Sequence, residues 1–242
     1  MADHGAVGRT RTGRGAAACT AALLVLAVAL AGCVRITRGT TTTTEVTTGG
    51  SGTVSTAGCS LSDAPSPVEA AVIAELNLAR TRPDAYAAII AQAFAGMTGL
   101  TYVRGGVNIL TTEGRAAVDE AVAAMRKARP VPALVHSPCL SRAAQDHAND
   151  TGPKGITGHS GSDGSTPIAR VKRYAPGLGY CGENISYGSS SARDIVLQLI
   201  VDDGVPSRGH RENIMRPDFR TVGIGTGPHS RYGAMSVHAM CG

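Results

Sequence analysis

Cys181-Gly182-Glu183-Asn184-Ile185 opens, and Gly209-His210-Arg211-Glu212-Asn213-Ile214 closes, the stretch whose reading decides the fold. Between them, residues 191–203 read as an amphipathic helix. Ser191-Ala192-Arg193-Asp194 gives a capping-box start, Ile195, Val196, Leu199 and Ile200 form the apolar side, and Asp202-Asp203-Gly204 ends it. The segment from Cys181 to Tyr187 reads as a strand, and the Gly209-His210 segment as a loop. Glycines beside an acid and a histidine predict backbone brought close to a working surface. A third polar cluster, Gly158-His159-Ser160-Gly161-Ser162-Asp163-Gly164, precedes them. Two histidines and carboxylates in glycine-rich settings are the residue types of a shallow metal or acid/base site.

Downstream, two strands close the chain, residues 221–226 with Val222 and Ile224 and residues 232–240 with Met235, Val237 and Ala239. Gly227-Pro228-His229-Ser230 is the turn of the hairpin they make. Upstream, Ser66-Pro67-Val68-Glu69 starts a helix with Ser as N-cap, Pro at N1 and Glu closing the box. Val72, Leu76 and Ala79 mark its apolar stripe, and Pro83 ends it. Asn77 and Arg80 on this helix read as surface polar residues. A second helix runs from Pro83 to Phe94. Residues 96–112 form a glycine-rich loop with a short strand at 100–103. Residues 112–128 are helical, with Val118, Ala121, Val122 and Met125 on one side, stopped by Pro130 and Pro132. Ser137-Pro138 starts a helix to about residue 149, in which His147 reads as structural. Thr166-Pro167 opens a short one through Arg170 and Tyr174. The fold expected is α+β, with helices on both sides of a small antiparallel sheet.

The N-terminus adds a destination. Arg9, Arg11 and Arg14 precede an uncharged apolar run of about 16 residues, short of the roughly 20 that span a bilayer. This is the pattern of an export signal. It ends in Leu30-Ala31-Gly32-Cys33, which resembles the lipobox of bacterial lipoproteins and makes Cys33 the lipid attachment point. Several acyl chains on one residue give a stable membrane anchor; ordinary secretion is the alternative. Loss of the signal leaves 20 Lys and Arg against 17 Asp and Glu, a net of +3 where the whole chain carries +5. So mild a charge gives nucleic-acid binding no support. The Thr/Gly-rich residues 40–60 have little to bury and read as a flexible tether. Cys59, Cys139, Cys181 and Cys241 remain for two disulfides in an oxidising compartment. Three connectivities exist and spacing does not choose; Cys181–Cys241 with Cys59–Cys139 is favoured, the first tying the Gly-Glu-Asn-Ile segment to the last strand.

The three polar segments, followed by Phe219 and Val222-Gly223-Ile224-Gly225 and preceded by Leu76-Asn77-x-x-Arg80, resemble the CAP superfamily (cysteine-rich secretory proteins, antigen 5, pathogenesis-related 1; the SCP domain) in its bacterial form. The resemblance covers residues 67–241. With the N-terminal reading, the chain divides into a signal peptide at 1–32, a lipidated Cys with tether at 33–60 and a CAP domain at 61–242. It implies an α-β-α sandwich around a central cavity lined by two histidines and acids, which in some members holds a divalent metal. Matching motif positions make His159 and His210 the histidines and Glu183 one acid. Asp163, one short turn of loop after His159, is the candidate second acid. The family's tryptophan between the glutamate and the second histidine is absent, for the chain has no Trp, and residues 197–199 fill that region. Two imidazoles with a carboxylate suit Zn²⁺ and leave open positions, favouring Lewis-acid chemistry or ligand capture. The competing expectation is that Glu183 only hydrogen-bonds the histidines and fixes their loops, with neither metal nor catalysis. Three functions follow: a surface module binding a lipid, sterol-like or peptide ligand or another envelope protein, a metal-dependent hydrolase of peptide or wall material, and a structural envelope protein. Ser160 and Ser207 lie beside or near the histidines, but no Gly-x-Ser-x-Gly elbow or His-Glu-x-x-His helix occurs. Binding is therefore favoured over catalysis.

Overall fold

Hydroxyl side chains followed by proline start three of the helices. The computed structural model describes residues 63–242 apart from residue 105. The signal, Cys33, the tether and Cys59 lie outside the described residues. Helix α1 (Pro67–Thr81) begins with Ser66 accepting from the Glu69 N–H while the Glu69 side chain accepts from the Ser66 N–H. Val72, Leu76 and Ala79 are fully buried along it. Helix α2 (Pro83–Ala93) follows one residue later. Two short strands, β1 (Thr101–Arg104) and β2 (Val107–Leu110), then pair antiparallel. The glycine-rich segment expected to hold one strand thus holds a hairpin. Helix α3 (Arg115–Lys127) precedes β3 (Val135–His136) and α4 (Pro138–Thr151). Helix α5 (Pro167–Tyr174), strand β4 (Cys181–Tyr187) and helix α6 (Ala192–Val201) come next. Helix α7 (Gly209–Ile214) and strands β5 (Thr221–His229) and β6 (Gly233–Cys241) complete the order.

The main sheet runs β3-β5-β6-β4. Its pairs are antiparallel except β3 with β5, which is parallel, so the sheet is mixed rather than purely antiparallel. Strand alternation gives it two apolar faces. Val222, Ile224 and Met240 face α1, α6 and α7, with α2 and α3 packed beyond. Ile185, Val237 and Ala239 face α4 and α5. The molecule is an α+β sandwich, helices on a sheet on helices. On the second face α4 lies directly on β5. A Cβ on Gly223 would overlap the Ser141 nitrogen and the Leu140 carbonyl carbon, and one on Gly225 the backbone of Ala144 and Gln145. The glycines are therefore there for close approach of helix and strand.

Three local expectations need correction. The Gly209-His210 segment is a helix, not a loop; six residues are too few to display a helical period. Strand β5 continues through Gly227-Pro228-His229, paired with the start of β6 at Gly233, which moves the turn to residues 230–232. Arg80 is not a surface residue: it is fully buried. Its guanidinium donates to the carbonyls of Pro132, Ile214, Arg216 and Phe219. Asn77 donates to the Leu134 carbonyl at 3.0 Å and accepts from its N–H at 2.7 Å. These two side chains staple α1 to the segments flanking the sheet.

Candidate functional site

Strand β4 sends alternate side chains to opposite faces, and each face receives one histidine. On the α4–α5 face, Glu183 accepts from His159 Nδ1 at 2.9 Å and from Arg170 Nη2 at 2.8 Å. The same Arg170 nitrogen donates to the His159 carbonyl at 3.0 Å. His147 on α4 donates from Nε2 to the Gly158 carbonyl at 2.8 Å and so fixes the loop that carries His159. All four side chains are buried. Burial alone would raise the Glu183 carboxyl, but the His159 hydrogen bond and the Arg170 charge outweigh it and hold it below the usual range. An ionised Glu183 places the His159 proton on Nδ1. Its Nε2 is buried and without a hydrogen-bond partner.

The other face repeats the device with different parts. His210, at the start of α7, donates from Nδ1 to Asp202 Oδ1 at 2.5 Å, and its backbone N–H donates to Asp202 Oδ2 at 2.9 Å. Asp202 caps α6 in the left-handed region, at φ 56°, and Arg208 at φ 52° turns the chain into α7. Aspartate is among the few residues that tolerate this conformation. Asn184 donates to the His210 carbonyl at 2.9 Å and accepts from Asn213 at 3.0 Å. The asparagines of the two recognition segments thus lock β4 to α7. His210 Nε2, like that of His159, is buried and unpartnered. His238 on β6 lies close by; burial and the neighbouring His210 push it down to about 3, so it stays neutral.

A cavity of about 300 Å³ opens where the edge of β4 meets α6. Phe94, Val118, Ile185, Tyr187 and Leu199 give it apolar walls, and His210 with Asp202 its polar wall. The inner face of the β1–β2 hairpin covers it with Tyr102, Arg104 and Ile109. Arg104 pairs with Asp194 at the start of α6, at 3.2 Å.

Of the residues expected to form one cavity, His210 lines this one, and His159 and Glu183 pair with each other on the opposite face of β4. Asp163 belongs to neither pair. It is exposed, with Oδ1 accepting from the Ser165 N–H and Oδ2 from Arg173. The acid paired with His210 is Asp202, which the sequence marks only as a helix end. Ser160 and Ser207 are exposed, and neither is hydrogen-bonded to a histidine among the described residues. Two imidazole nitrogens with their second nitrogens held by carboxylates match the second shell of a metal site. Yet no group of three or more His, Cys, Asp or Glu side chains is placed to hold an ion among the described residues. Resident zinc takes three or four protein ligands, a number the described residues do not bring together. Cys181 and Cys241, register partners on β4 and β6, are joined by a disulfide. Cys139 is disulfide-bonded as well, while its expected partner Cys59 lies outside the described residues. None of the described helices is long and apolar enough to cross a membrane.

A family model described as CAP, the cysteine-rich secretory protein family, matches residues 120–241, half of the chain. The uncharacterized protein YkwD of Bacillus subtilis (strain 168) is 28% identical over 86 residues, 36% of this chain and 32% of that protein. The chain thus spans about a third of the length of the curated relative it matches. Among solved structures, an extracellular protein containing a SCP domain from Bacillus anthracis str. Ames is 21% identical, with a TM-score of 0.40 over 46% of this chain and 34% of that one. An outer surface protein from Borrelia burgdorferi is 19% identical, with a TM-score of 0.40 over 46% of this chain and 78% of that one.

Proposed function

The chain belongs to the CAP, or cysteine-rich secretory protein, family, and from that premise we propose that it is an exported binding domain, lipid-anchored at Cys33 on the outer face of a bacterial membrane. Its cavity holds a small ligand that sets apolar groups against the walls and a polar group opposite His210. The observation that carries this reading is the His210 imidazole: Nδ1 held by Asp202, Nε2 buried and unpartnered on the wall of an apolar cavity of about 300 Å³. A buried nitrogen left without a partner costs free energy, and a ligand polar group would recover it. Export is supported by the N-terminal signal pattern, by the Cys181–Cys241 disulfide and by the family itself. Binding is favoured over bond cleavage because no hydroxyl or thiol nucleophile is hydrogen-bonded to His159 or His210 among the described residues.

A second reading, acid/base chemistry on the bound ligand, is favoured by one feature: an imidazole oriented by a carboxylate is the equipment of a general base. It uses the same cavity and the same residue.

The test is titration of the full-length chain with 1-anilinonaphthalene-8-sulfonate, an aromatic probe with one charged group, followed by fluorescence. Saturable one-to-one binding is expected, lost in Ser189→Trp, where the new ring takes up cavity volume, and weakened in His210→Phe. A signal unchanged by Ser189→Trp would show that the probe sits elsewhere and would remove the support for the cavity.

A further inference from the structure

The sheet ends at β4, and among the described residues most of the backbone groups on the outer edge of that strand are unused. The Gly188 N–H donates to the Ala234 carbonyl and the Gly242 N–H to the Tyr180 carbonyl. The register sets Gly182, Asn184 and Ser186 opposite Met240, His238 and Ser236. Bonded and non-bonded positions alternate in an antiparallel pair, so these even positions bond to β6. The N–H and C=O groups of Glu183, Ile185 and Tyr187 therefore point off the sheet. One of them is satisfied: Gln198 Nε2 donates to the Tyr187 carbonyl at 3.1 Å. Among the described residues, no hydrogen bond reaches the other five: the N–H and carbonyl of Glu183, which does not line the cavity, the N–H and carbonyl of Ile185, and the Tyr187 N–H. Yet Ile185 is 3% and Tyr187 7% exposed, and both line the cavity. Buried backbone groups are almost always paired, and for Ile185 and Tyr187 the space beside the residue is the cavity.

Building on the cavity reading above, we propose that the ligand is a short peptide in extended conformation, which adds a partial strand to the edge of β4 at Ile185 and Tyr187. A peptide residue opposite Ile185 satisfies its N–H and C=O together, as in other strand additions. Gln198 already holds the Tyr187 carbonyl, so that end offers a donor and no acceptor, and the ladder stops there. The occupant is short for the same reason. At about 3.3 Å per residue, two or three residues run the length of the open edge, and a cavity of about 300 Å³ is at the small end of ligand sites. The apolar walls take the peptide side chains, and His210 Nε2 meets one polar group. An acyl chain would fill the same walls and leave the three backbone groups of Ile185 and Tyr187 unpaired, which is why a peptide is the occupant chosen.

The experiment is binding of a positional panel of N-acetyl tripeptide amides, beginning with N-acetyl-Ala-Val-Ala-amide, to the full-length chain, read by amide NMR shifts. Each binder is then retested with its backbone amides N-methylated one at a time. Expected are saturable shifts at the Ile185 and Tyr187 amides, slower hydrogen exchange there, and a loss of about tenfold or more in affinity for one methylation position. Ile185→Pro removes an N–H that faces away from β6, so the ladder survives and peptide binding falls; if that variant fails to fold, the methylation series decides. Failure of every panel peptide to bind a folded chain, shifts confined to other regions, or indifference to methylation at every position would overturn the proposal. Anilinonaphthalene sulfonate binding in the same preparation separates the outcomes. Probe bound without peptide ends the peptide assignment and keeps the cavity; neither bound ends both.

Discussion

Asp202 does for His210 what Glu183 does for His159: it accepts a hydrogen bond from Nδ1–H and leaves Nε2 bare. Replacing Asp202 with Asn keeps a side chain that tolerates φ 56° but removes the charge. The variant is expected to lose about 1–3 kcal/mol of stability, measured by urea unfolding, and to shift His210 towards a mixture of tautomers. His238 sets a pH dependence. It is neutral in the fold, held near 3 by burial and by His210, whereas the unfolded chain takes up that proton below about 6.5. Stability is therefore full above that pH and falls as pH drops from there towards 3, where the folded ring itself takes up the proton. His147, pushed down by burial in the same direction, adds to the slope. His238→Gln should flatten, though not abolish, the fall between pH 6.5 and 5 (a window above the titration of Glu183), followed by the urea midpoint. The histidines and Glu183 stood out in the sequence because glycines flank them. Asp202 did not, since an acid before a glycine at a helix end reads first as a stop signal. Arg80 and Asn77 did not either: a polar residue on an amphipathic helix looks solvated until its carbonyl partners, here 52 to 139 residues away in sequence, are brought together.

At the scale of elements, the fit of α4 on β5 is the tightest constraint. Gly223→Ala puts a methyl group into the Ser141 and Leu140 backbone, which cannot yield as a side chain would. A loss at or above the usual 1–3 kcal/mol of overpacking is expected, seen as a lowered Tm. An unchanged Tm would mean that α4 does not sit where it is placed. Helix starts were the most legible elements. Ser66-Pro67, Ser137-Pro138 and Thr166-Pro167 each announce a cap and a first turn, and each cap forms. The strands β2 and β3 were not legible, because four and two residues carry too little alternation to separate from a loop. Helix α7 was hidden similarly, since its first residue is the glycine that marks the motif.

For the whole molecule, the sheet is the partition that decides which polar groups meet. The single disulfide defined within the described residues, Cys181–Cys241, closes a loop of 60 residues that contains α6, α7 and the β5–β6 hairpin. On the chain-entropy view that bond is worth about 4 kcal/mol. A Cys181→Ala, Cys241→Ala double variant should unfold at correspondingly lower urea while keeping the sheet register. An unchanged midpoint would contradict this. The sandwich itself was legible from the order of helix and strand signals, and the family from four motifs in sequence. The division of the two histidines between the faces of β4 was not, because parity along one strand becomes meaningful only once its edge and its neighbour are known. The most direct test of the binding centre is long-range proton–nitrogen NMR of the histidine rings in the full-length chain, with and without saturating anilinonaphthalene sulfonate. The prediction is a His210 ring protonated on Nδ1 whose Nε2 resonance moves on saturation, while that of His147 stays. A His210 protonated on Nε2, or an Nε2 resonance indifferent to a bound probe, would contradict it.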